Sequence, residues 1–181
     1  FDGTSGPYKE EDRKNPHNLY GRFKLRAEDW IRENLKEYVI VRTTNVFGWD
    51  PQTVTPNYIM NLYRTARAGK PFNAPSFLWG NPTYAGDLAL ALIELSSKES
   101  FGVFHVVGSS FVNRFDWALE ACDALGLSRS LVKEVKDPPL NIVPRPLKSW
   151  LSTEKFRSSY DTVLHDLNTG LGYMSEEMRK D

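Results

Sequence analysis

Two short runs, Tyr38-Val39-Ile40-Val41 and Val103-Phe104-His105-Val106-Val107, are continuous in apolar character rather than alternating. A strand with one wet face alternates, whereas a strand covered on both faces does not. Strands of that kind belong to parallel sheets flanked by helices, and the segments around these two runs carry a helical period. A first helix is expected from Asn18, a good N-cap, to about Lys36. Its Leu19, Phe23, Ala27, Trp30, Ile31 and Leu35 recur in steps of three and four, which predicts a buried stripe. Further helices are expected over residues 57–68, from about Tyr84 to Ser97, and from Asn113 to Leu125 with Gly126 just past its end. Strand, long helix, strand is the rhythm of a parallel α/β fold.

Between these elements the sequence reads less sharply. Residues 1–17 and the stretch from Pro71 to Pro82 are rich in Gly and Pro and read as loops. Leu131 to Val135 suits a short strand, Asp137 to Pro146 a proline-rich excursion. A last helical segment is expected near Thr153, and the tail from Ser158 has no evident pattern.

Composition excludes several functions. Lys plus Arg equals Asp plus Glu at 23 each, so no basic stripe invites nucleic acid. No apolar stretch approaches the roughly 20 residues needed to cross a bilayer. The single cysteine, Cys122, cannot form an internal disulfide and suits a reducing, cytoplasmic setting. His17, His105 and His165 lack metal-ligand spacing, and no Gly-x-Ser-x-Gly elbow points to a hydrolase.

One pair of residues does suggest chemistry. Tyr20 and Lys24 stand four apart in Asn15-Pro16-His17-Asn18-Leu19-Tyr20-Gly21-Arg22-Phe23-Lys24, so a helix sets them one turn apart on one face. A phenol needs a neighbouring cation to exchange a proton near neutral pH, and an ammonium supplies one. The spacing alone is common, and its surroundings give it weight. Before it stands Phe1-Asp2-Gly3-Thr4-Ser5-Gly6-Pro7-Tyr8; after it come Arg42-Thr43-Thr44-Asn45-Val46-Phe47-Gly48, Gly80-Asn81-Pro82-Thr83-Tyr84-Ala85-Gly86-Asp87-Leu88-Ala89 and Arg145-Pro146-Leu147-Lys148-Ser149-Trp150-Leu151.

In this order the segments resemble the extended short-chain dehydrogenase/reductase family, within it the dTDP-4-dehydrorhamnose reductase group, over residues 1 to about 155. The resemblance implies the C-terminal part of a Rossmann-type doubly wound parallel sheet plus a small substrate-binding α/β subdomain. Residues 1–50 would belong to the Rossmann-type domain and 51–181 mainly to the substrate region, with interleaved sheet elements. No G-x-G-x-x-G occurs, so the nucleotide-binding N-terminal half and the family's catalytic Ser or Thr would lie outside this chain. Residues 1–181 alone are then expected to be inactive.

For the intact protein the resemblance implies NAD(P)-dependent reduction of a nucleotide-linked 4-keto-sugar, with NADP favoured over NAD. Tyr20 would be the general acid; Lys24 would support it and hold the nicotinamide ribose. Val46 would approach the cofactor through its backbone, while Asn45 and Arg145 would bind the sugar nucleotide, Arg145 at its diphosphate. The reductases of this group often carry Trp where this chain has Asn45, which leaves the particular sugar open. An epimerase or dehydratase on the same scaffold is an alternative, as is a non-catalytic NADP-binding subunit like the regulatory subunit of methionine adenosyltransferase. A homodimer is left open.

Overall fold

The computed structural model describes residues 1–139 and 143–181. Its first helix, α1, spans Leu19–Asn34, with the Asn18 side chain accepting a hydrogen bond from the Gly21 N–H at 2.8 Å. Strand β1 (Val39–Arg42) follows and pairs in parallel with β6 (Gly102–His105), in register from Val39 opposite Gly102 to Arg42 opposite His105. Both expected apolar runs thus become neighbours in one Rossmann-type parallel sheet. Helix α3 (Ala85–Ser97) packs against β1, and the short helix α5 (Glu154–Arg157) packs against β6. Ala91, Leu95, Phe104, Val106, Phe156 and Leu164 make the small core between them.

The larger core lies on the other side of the chain's middle. Helices α2 (Tyr58–Arg67) and α4 (Arg114–Leu125) pack on a parallel pair, β3 (Phe72–Pro75) with β8 (Val132–Val135), and α6 (Leu167–Met178) packs against α4. Ile59, Leu62, Ala74, Ala118, Ala121, Leu171 and Met174 are completely or almost completely withdrawn from water here. Two smaller strand sets complete the fold. Strand β2 (Val46–Phe47) pairs in parallel with β5 (Thr83–Tyr84), while β4 (Trp79–Gly80) lies between β7 (Val112–Asn113, antiparallel) and β9 (Lys148–Ser149, parallel).

Three expectations are corrected. The apolar stripe of α1 is not buried: the helix has no buried residue, and Phe23 and Trp30 are 58% and 60% exposed. Instead α1 meets the rest of the chain through its opposite face, where Gly21, Leu25, Glu28 and Arg32 are half-buried. The guanidinium of Arg42 on β1 grips Glu28 with two hydrogen bonds, at 2.8 and 2.6 Å. Periodicity identifies an apolar stripe correctly but cannot say what covers it.

Second, the stretch from Pro71 to Pro82 contains β3, β4 and no long loop, because a parallel partner 60 residues away supplies its hydrogen bonds. Third, the tail forms α6, capped by Asp166, whose side chain accepts from Thr169 N–H at 2.8 Å. Gly170 and Gly172 obscure its period, yet the close approach of α6 requires Gly170. A Cβ there would lie 3.0 Å from Phe47 Cζ and 3.1 Å from Tyr84 Cβ. Within the proline-rich stretch 137–146, residues 140–142 lie outside the described residues.

Candidate active site

A cleft of 660 Å³ opens between α1, the turn after β1, β4 and the loop before β9; it is lined in part by Tyr20, Asn45, Trp79, Arg114 and Arg145. Tyr20 lies in the first turn of α1 and is 71% exposed. Lys24, one turn on, places its Nζ 5.6 Å from the centre of the Tyr20 ring. Lys24 itself lines a separate, smaller cavity with Phe1, Gly21, Leu25, Glu28 and Arg42. The pair therefore straddles the edge of the cleft, Tyr20 lining it and Lys24 lining the neighbouring cavity.

Asn18 holds the two rims of the cleft together. Its oxygen caps α1, and its Nδ2 donates to the Pro144 carbonyl at 2.8 Å, tying the Arg145 loop to the Tyr20 helix. Arg145 is exposed on that loop. The next residue, Pro146, lies against the N-terminal segment.

Asn45 follows β1 at the carboxyl end of the parallel pair, where open α/β sheets bind their ligands. Its backbone is left-handed, with φ 50°, a conformation that Asn tolerates better than most residues. Its Oδ1 accepts a 3.0 Å hydrogen bond from Arg114 Nη2. Gly80 makes room for its amide, since a Cβ on Gly80 would clash with Asn45 Nδ2. Val46 begins β2 beside Asn45 and is 37% exposed.

Thr83 and Tyr84 have structural work. Thr83 is fully buried and donates from Oγ1 to the Thr44 carbonyl at 2.8 Å, and the Tyr84 hydroxyl donates to Glu177. Asp87 is buried and accepts both the His165 N–H (2.8 Å) and a 2.9 Å contact from His165 Nδ1. His105 is fully buried, its Nδ1 3.2 Å from the Tyr8 carbonyl. Cys122 is buried in the larger core. Among the described residues no group of three or more His, Cys, Asp or Glu could hold a metal ion.

Sequence reading missed Arg114 and Trp79. Arg114 is the first residue of α4, a position where the helix dipole disfavours a cation. That local conflict was the available signal, because residues that break a local rule are often held for function. The Arg114 guanidinium lies 4.7 Å from the Tyr58 ring centre. Burial pushes its pKa down, Tyr58 opposes this, and the nearby charge of Arg145 lowers it further.

A family model described as RmlD substrate binding domain matches residues 1–180. The chain is 28% identical over 191 residues to the dTDP-4-dehydrorhamnose reductase of Salmonella typhimurium, covering 98% of this chain and 62% of that protein. It is 27% identical over 161 residues to the methionine adenosyltransferase 2 subunit beta of Xenopus tropicalis, covering 86% of this chain and 48% of that protein. The structure of a dTDP-4-dehydrorhamnose reductase from Bacillus anthracis, solved in complex with NADP, superposes with a TM-score of 0.88 at 23% identity. That match covers 98% of this chain and 62% of the other. The chain thus spans about half to three fifths of the length of these proteins.

Proposed function

Because this chain belongs to the RmlD substrate-binding domain family, we propose that it forms the sugar-nucleotide side of a nicotinamide-dependent reductase acting on a nucleotide-linked 4-keto-sugar. The observation that carries this reading is one cleft holding Tyr20, Asn45 and Arg145, with Lys24 against the Tyr20 ring. In this reading residues 1–50 serve the Rossmann-type domain and residues 51–181 mainly the substrate, with β6 returning to pair with β1.

The residues present fit the nicotinamide-riboside end of such a cofactor. Lys24 offers ammonium donors beside Tyr20, and Val46, which begins β2 next to Asn45, is partly exposed. They do not provide a cradle for its pyrophosphate, since the sequence has no G-x-G-x-x-G turn. When bound, the cofactor supplies a hydride to the sugar C4; NADP is the favoured form. The chain's own part is the proton. As C4 becomes tetrahedral its oxygen gains negative charge, and Tyr20 delivers the hydroxyl proton to that oxygen. Lys24 stabilises the phenolate left behind. Asn45 and Arg145 orient the sugar and the diphosphate, so binding energy far from C4 positions the carbonyl.

Following nicotinamide absorbance with the intact protein, including its nucleotide-binding half, and a panel of dTDP- and GDP-linked 4-keto-sugars tests the reading. Oxidation of NADPH or NADH with at least one of them is the expected result; no oxidation with any would overturn it. The second reading, a non-catalytic binding subunit, draws on the likeness to the methionine adenosyltransferase subunit. An epimerase or dehydratase would interconvert the nucleotide sugar without net oxidation of added NADPH.

A further inference from the structure

Asn18 does two jobs with one amide. Its Oδ1 accepts the Gly21 N–H at 2.8 Å, capping α1, and its Nδ2 donates to the Pro144 carbonyl at 2.8 Å. Used at both ends, the amide is fixed in orientation, because only its oxygen accepts and only its nitrogen donates. Capping by itself does not require asparagine. Asp or Ser caps a helix about as well, and α1 has no acidic residue in its first turn, where a carboxylate would suit the helix dipole. Neither would replace the second contact. A carboxylate has no proton to donate, and a hydroxyl ends closer to the backbone than an amide nitrogen does.

That second contact crosses the cleft. Among the described residues it is the only hydrogen bond between residues 15–34 and residues 143–151. On its far side Arg145 stands between Pro144 and Pro146, and a residue that precedes proline is held to extended backbone. Pro146 lies against Gly3, where a Cβ would come within 2.6 Å of Pro146 Cβ, and the Leu147 carbonyl accepts the Trp79 N–H at 2.8 Å. The carbonyl gripped by Asn18 thus belongs to a stretch with little backbone freedom. On its near side Asn18 starts the turn that carries Tyr20. No residue of α1 is buried, and its bonds from Arg42 to Glu28 lie about two turns beyond Tyr20. The place of the first turn therefore depends on Asn18 and on the close fit of Gly21 to Pro16, where a Cβ would lie 2.8 Å from Pro16 Cβ.

We infer that Asn18 is a positioning residue that couples the two rims, so that a ligand held at the Arg145 loop sets the place of the Tyr20 hydroxyl through the Pro144–Asn18 bond. The nucleotide part of the substrate then contributes to turnover as well as to binding, because binding energy far from the reacting carbon is used to align the acid. This deepens the reading under Proposed function and rests on it for the roles of Tyr20 and Arg145. The coupling itself belongs to the two rims and needs no reaction.

Asn18→Ser keeps the cap, adds no charge and removes the donor that reaches Pro144, so it is compared with wild type in the intact protein. The first readout is an NMR titration with dTDP, which carries the diphosphate but no keto-sugar. In the wild type the amide resonances of Arg145 and Leu147 should move, and so should those of Leu19, Tyr20 and Gly21. In Asn18→Ser the loop resonances should still move and those of the α1 turn should stay in place. The second readout is turnover of a nucleotide-linked keto-sugar, where kcat should fall about tenfold or more and KM change by less than about threefold. That penalty should vanish on the same keto-sugar without its nucleotide. Resonances of the α1 turn that stay in place when dTDP is added to the wild type would overturn the inference, as would their undiminished movement in Asn18→Ser. A kcat within about twofold of wild type in the folded variant would also overturn it, and so would an equal loss on both substrates, the mark of a structural role. Should Asn18→Ser not fold, Asn18→Asp, which also keeps the cap and loses the donor, takes its place with the same outcomes. Movement of the α1 turn through Asn18 with no keto-sugar reduced would sink the proposed reaction and leave the coupling standing. Reduction with an unchanged kcat in Asn18→Ser would do the reverse.

Discussion

Helices α1 and α2 are both amphipathic, but they use their faces in opposite ways. In α2, Ile59, Met60 and Leu62 are essentially inaccessible to water, and the helix is held by burial. In α1 no residue is buried, Leu19, Phe23 and Trp30 point outward, and the inner face is held by the Glu28–Arg42 pair and the Asn18 staple. The candidate substrate wall therefore rests on a completed core, whereas the candidate acid, Tyr20, rides on a helix fixed by polar contacts. Precise placement without deep burial is possible because charge-assisted bidentate hydrogen bonds are directional in a way that apolar packing is not. Such placement also leaves an apolar face available.

The sharpest way to separate chemistry from stability in these regions is Tyr20→Phe. Losing a positioned general acid should lower turnover of the intact protein 10²- to 10⁴-fold, while the melting temperature stays nearly unchanged because the Tyr20 side chain is largely exposed. A loss below about fivefold would remove Tyr20 from the reaction.

Next comes the direct contrast between the helices. Leu62→Ala in α2 empties a fully buried site and should cost about 2–5 kcal/mol in urea unfolding. Phe23→Ala in α1 removes a larger side chain, yet should change stability by no more than about 0.5 kcal/mol. Comparable costs would show that the α1 stripe is covered in solution.

Arg42→Met tests the polar attachment of α1. It leaves Glu28, whose carboxyl burial pushes up but Arg42, with Arg32 and Lys14, more than offsets, without its main partner. The expected cost is about 1–3 kcal/mol. Amide exchange should quicken along α1 and remain unchanged in α2, α4 and α6. A uniform increase would mean that the pair supports the whole fold.

The smallest effect is a pH dependence at the joint between the regions. Burial lowers the pKa of His105, the neighbouring Glu10 opposing this and Arg42 adding to it. Below the usual His value near 6.5 the unfolded chain takes up a proton that the native state resists. Stability should thus fall as pH drops from about 7 to 5, by at most about 1.4 kcal/mol per pH unit for one proton. His105→Gln should flatten that slope whatever its effect on absolute stability. An unchanged slope would assign the acid sensitivity to other groups.

Much of the framework was legible in the chain itself. The helix starts at Asn18, Asn57 and Asn113 are set by hydrogen bonds to N–H groups two or three residues away, so their effect is local. The apolar runs that became β1 and β6 and the four-residue step from Tyr20 to Lys24 are local in the same sense. Hidden from sequence were β3 and β4, whose hydrogen-bond partners are distant, and α6, whose glycines are explained by Phe47 and Tyr84 across the core.

By itself, then, the sequence determined the α/β rhythm, the helix ends and the spacing of the Tyr–Lys pair, because each depends on backbone bonds within one or two turns. Tertiary structure alone decided which face of α1 would be covered and that Arg114 would stand between Tyr58 and Asn45. It also decided that two arginines 31 positions apart would share one acid-free cleft. Those outcomes depend on which surfaces meet in space, and burial and electrostatic repulsion act through that proximity, whatever the separation along the chain.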